Sequence, residues 1–160
     1  MEPLAIAANV TQSAFCRLDE VLITFGSLCV TYSGMSWSGD GDKVACEAII
    51  ASIEKQWKNS DQEPFIAAVL FNPLLKTSLF SPHSAFSVVN IHHLFQSLFH
   101  RFFPEENIPW LSDSISEYLE GKGAFSSMEV IIHEAKKSSQ VGTEPQSYIS
   151  CSHQTGKYGR

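Results

Sequence analysis

Residues 65–71 read Phe-Ile-Ala-Ala-Val-Leu-Phe, an unbroken apolar run with turn chemistry on both sides. A segment apolar on nearly every side has to be buried, and burial leaves its backbone polar groups to be satisfied internally. A helix does this locally. Asp61 in front is a good N-cap, and Pro64 falls in the first helical turn, where its missing N–H costs little. Behind the run, Pro73 pushes Asn72 out of the helical region, so the helix breaks or kinks there. The chain is therefore organised around a buried helix that stops at Asn72-Pro73.

The flanking segments read as helices that could cover it. From residue 11 to 32, Phe15, Leu18, Leu22, Phe25, Cys29 and Tyr32 recur at helical gaps, with Ser33-Gly34 as the stop. Within this segment, residues 21–30 leave a strand open as an alternative. Asp42 can cap a helix over 43–58, whose stripe is Val44, Ala48, Ile49, Ile53 and Trp57, with Cys46 beside it. Glu54 and Lys58 on its other side stand in the favourable i,i+4 order. After Pro73 the pattern predicts a short helix through Leu74, Leu75, Leu79 and Phe80.

Ser84 can cap a helix over 85–103. Its apolar stripe is Val88, Ile91, Phe95, Leu98, Phe99 and Phe102; Asn90, His93, Ser97, His100 and Arg101 lie opposite, and Pro104 stops it. Asn107-Ile108-Pro109 opens another helix, with Trp110, Leu111, Ile115, Tyr118 and Leu119 as its apolar set and Gly121-Lys122-Gly123 as its end. Ser126 or Ser127 can cap a last helix over 128–137. Residues 1–9 read as a lead-in. Residues 138–160 are polar and aperiodic and read as a disordered tail. The expected fold is mainly α: an irregular bundle of about five to six helices in one domain, residues 1–137.

Composition narrows the function classes. Apolar residues make up 44% and charged residues 18%, which fits a folded core more than a disordered chain. Eleven Phe and three Trp call for burial or a partner surface. The net charge is −6, and no third of the chain carries a basic surplus. Non-specific affinity for nucleic acid comes mainly from cations, so the charge argues against direct nucleic-acid binding by this chain alone. Cys16, Cys29, Cys46 and Cys151 suit neither a zinc knuckle nor a disulfide framework and read as free thiols in a reducing compartment. There is no basic n-region ahead of residues 21–30 and no run of membrane-spanning length. Nucleus or cytoplasm follows as the expectation, with no secretion and no membrane.

Four groups are candidates for chemistry. His92, Gln96 and His100 share a face at four-residue steps beside His93, as metal ligands on a helix can. Two turns separate the outer histidines, however, and no Glu completes a His-Glu-x-x-His motif, so a solvated or partner-facing stripe is the simpler reading. Glu105, Glu106, Glu117 and Glu120 offer the oxygens a hard cation wants but lack calcium-loop spacing and read as solvated surface; Asp40-Gly41-Asp42 reads as a turn and cap. Ser27, Ser36 and Ser38 lie in no nucleophile elbow, and Cys29 and Cys46 sit on apolar helical faces as inert thiols. Phe95, Phe99, Phe102 and Phe103 recur at helical spacing, which suits either core or a surface that belongs against another protein.

The run Ile53-Glu54-Lys55-Gln56-Trp57-Lys58-Asn59-Ser60-Asp61-Gln62, followed by Pro64 through Pro73, resembles fungal hAT-type transposases. Ser116 through Ser126 is similar to the Tyr-x-Glu-Gly-x-x-x-Phe stretch of that family, and together the similarity spans about residues 20–137. The resemblance implies a ribonuclease-H-like core interrupted by a large helical insertion, to which these residues would belong. In the intact enzyme three carboxylates would hold two divalent metals, Mg or Mn, that activate water and then a DNA 3′-OH. The first two catalytic aspartates would lie upstream of this chain. The last catalytic Glu and a dimerisation segment would lie downstream. No catalytic, cofactor or metal residue is carried over onto this chain. From Gly142 onward the wording departs from the family, which suggests a truncated or rearranged copy. The expected function is a noncatalytic transposase segment whose partner is the missing remainder of that protein. The alternative is a domesticated module that binds protein through its aromatic faces, and a stand-alone enzyme ranks third.

Overall fold

The structure, a computed structural model, describes residues 2–35, 39–80, 86–106 and 108–139. Among them are seven α-helices and no strand. They are α1 (Glu2–Thr11), α2 (Leu18–Gly34), α3 (Asp40–Asn59), α4 (Gln62–Phe71), α5 (Val88–Phe102), α6 (Leu111–Glu120) and α7 (Ser126–Ser139). A one-turn 3-10 helix, Gly123–Phe125, leads into α7.

Helix α4 lies where its composition requires. It packs between α2 and α5, and its Val69 and Leu70 are fully buried. Ala67 and Leu70 form one core cluster with Ile91, Phe95 and Leu98 of α5 and Ile115 of α6. Burying one such aliphatic side chain contributes about 1.5–3 kcal/mol. Helix α2 is the other hub, touching α1, α3 and α4. Ala7, Leu28, Tyr32 and Cys46 make a second, smaller cluster there, flanked by Ile49, Ile50 and Ile53.

The main-α fold is as the periodicity predicts, and residues 21–30 are helical, which closes the strand alternative. Several boundaries differ for local reasons. Residues 2–11 form a full helix where a lead-in was expected; Pro3 stands in its first turn, the one place where proline favours a helix. Helix α2 begins at Leu18, not near residue 11: the Glu20 carboxylate accepts the Arg17 N–H at 3.1 Å, fixing the start, and Phe15 is left 91% exposed in the preceding turn. Helix α3 begins at Asp40 behind Gly39, so Asp42 lies inside it instead of capping it.

Asp61 does stand at the N-cap of α4, but its side chain makes no cap bond; its carboxylate pairs with Arg101 of α5. Helix α5 is capped by Ser87, whose hydroxyl accepts the Asn90 N–H at 3.3 Å, while Ser84 lies outside the described residues. At its two ends Val88 and Phe102 are exposed, so only the middle of the expected stripe is core. Helix α6 ends at Gly121 in the left-handed conformation (φ 66°), as the Gly-Lys-Gly stop predicts. Helix α7 runs to Ser139, two residues into the expected tail; residues 140–160 lie outside the described residues.

Candidate interaction site

Several hydrogen bonds converge on the C-terminus of α4, with Asn72 at their centre. A helix end leaves four carbonyls without partners. Here the Asn72 N–H serves two of them, Ala68 O at 3.1 Å and Val69 O at 3.2 Å. A third, Leu70 O, accepts the buried Tyr118 hydroxyl of α6 at 3.0 Å. Burial raises the pKa of that phenol above its usual value.

The side chain of Asn72 works outward. Its Oδ1 accepts the Leu74 N–H at 3.0 Å, and its Nδ2 donates to Asp19 Oδ2 at 2.8 Å across 53 positions of sequence. Asp19 is the one buried charged residue among those described, at 3% exposure. Arg17 also binds it, with Nε donating to Oδ1 at 2.9 Å and the guanidinium forming an ion pair. The Arg17 hydrogen bond, chiefly, and then that of Asn72 outweigh desolvation and hold the Asp19 carboxyl down at about 2.

Past Pro73 a single turn starts on Asn72 and ends at Lys76, whose left-handed backbone does not continue a helix. The Asn72 carbonyl accepts the N–H groups of both Leu75 and Lys76, at 3.0 and 2.8 Å, and the chain turns through residues 73–79. Lys76 takes a left-handed backbone (φ 46°) that sets its ammonium 5.5 Å from the centre of the Tyr118 ring. Phe71 stacks on Phe95, with centroids 4.2 Å apart.

The candidates for chemistry fall elsewhere. His92 is half-buried between α5 and α6, its Nδ1 3.3 Å from the Ser112 hydroxyl and its Nε2 3.2 Å from that of Ser116. Both ring nitrogens are thus occupied in joining the two helices. His93 and His100 face solvent and Gln96 is half-buried. The carboxylates do not converge. Glu117 folds against Gly123, where a Cβ would lie 2.3 Å from Glu117 Oε2, and Glu120 pairs with Lys122 at 2.6 Å. Among the described residues no group of three or more His, Cys, Asp or Glu is placed to hold a metal ion.

Cys29 and Cys46 are both buried. Ser27 is exposed, and Ser36 and Ser38 lie outside the described residues. Among the described residues no helix is long and apolar enough to cross a membrane.

The phenylalanines divide. Phe95 is core and Phe99 is half-buried, while Phe102 and Phe103 are 62% and 53% exposed. Trp110, at the N-cap of α6, is 61% exposed. Three large aromatics therefore stand open on the corner that joins α5 to α6. The Asp19–Asn72 clasp had no signature in sequence, since its partners lie on different helices. Trp110, expected in the apolar set of α6, stands instead at its N-cap ahead of the buried stripe. Compared with known proteins, the chain matches no family model, no curated protein and no solved structure.

Proposed function

We propose that this chain is a noncatalytic helical segment of an hAT-like transposase, working by packing against a ribonuclease-H-like core. The observation that carries the reading is where the resembling residues fall. Residues 53–73 run from the end of α3 through α4 to the Asn72 clasp, and Tyr118 of the second resembling stretch seals the same helix end. The shared wording is thus the wording that builds this fold, which supports common architecture and says nothing of catalysis by these residues. The exposed Phe102, Phe103 and Trp110 support the second half of the proposal, since open aromatic groups of this size are what a face covered by other protein carries.

The same surface suits the second reading, a domesticated module that binds a different protein. Two experiments test the first. The purified chain, incubated with DNA and Mg²⁺ or Mn²⁺, should cleave nothing; cleavage that copurified with the chain and vanished on metal chelation would overturn the noncatalytic reading. Residues 18–137 should replace the corresponding insertion helices of an active hAT transposase with excision retained. A chimera that folds and binds DNA but never excises counts against the transposase reading and leaves the module.

A further inference from the structure

We draw no further inference here: the strongest candidate, the side-chain cluster of His92 with Ser112 and Ser116 between α5 and α6, has both ring nitrogens taken up in joining the two helices, and nothing in the structure shows what it would bind or act on.

Discussion

Asn72→Ala removes the side chain that ties α4 to the start of α2, and its cost follows from the bonds lost. The Nδ2–Asp19 bond, at 2.8 Å, goes to a buried ionised acceptor. Bonds to charged groups are worth about 1.5–3 kcal/mol. The Leu74 N–H also loses its acceptor, but Leu74 is exposed, so water replaces most of that bond. The expected loss is about 2–3 kcal/mol, or about 1 M in the urea midpoint for a domain of this size.

Asp19 adds a pH signature. Its folded pKa, about 2, lies below the ordinary value of 3.8. Its contribution is therefore fully present above the unfolded pKa and is lost as pH falls through the folded one, amounting to about 2 kcal/mol. Arg17 is the larger cause of the shift, so Asn72→Ala should shrink this acid slope only in part, whereas Asp19→Asn should abolish it. The assay is urea unfolding followed by circular dichroism, from neutral pH down to about pH 2.5. The clasp is refuted if Asn72→Ala moves the midpoint by less than about 0.2 M, or if it costs as much in an Asp19→Ala background as alone.

Leu70→Ala opens a cavity in the main cluster and should cost about 2–5 kcal/mol in the same titration; a loss under about 1 kcal/mol would mean that α4 is not the central helix. Tyr32→Phe should be neutral or stabilising by about 1 kcal/mol, because the buried Tyr32 hydroxyl has no partner among the described residues; a clear drop in melting temperature contradicts this. Gly123→Ala should cost about 1–2 kcal/mol, since φ is +54° and the new methyl meets the Glu117 carboxylate. Adding Glu117→Ala should recover the steric part and leave the backbone part, and full recovery would show that the left-handed backbone carries no penalty there.

Most of the helical order was legible because it rests on local chemistry. Asn72-Pro73 stops α4, Gly121 stops α6, and Ile91, Phe95 and Leu98 face the core, all as periodicity and stop signals imply. The misses share a cause. Leu74, Leu75, Leu79 and Phe80 have helical spacing, and Asn72 starts a first turn with them, yet Lys76 takes a left-handed backbone (φ 46°) and the chain goes on in turns. Phe15 fits a stripe by spacing but precedes the Glu20–Arg17 bond that starts α2. His92, with Gln96 and His100, reads from spacing as a solvated or partner-facing stripe, and that it joins α5 to α6 depends on tertiary packing. The clasp itself joins Asp19 to Asn72, a pairing that no local pattern encodes.

The central claim, that this is the helical insertion of a transposase and not a module of separate origin, is tested most directly by reading the genomic DNA on both sides of its coding sequence. The account predicts strand-forming segments bearing two catalytic-type aspartates upstream and a glutamate-bearing helical segment with a dimerisation stretch downstream, intact or decayed. Flanks that encode an unrelated folded domain in frame with this chain would contradict it.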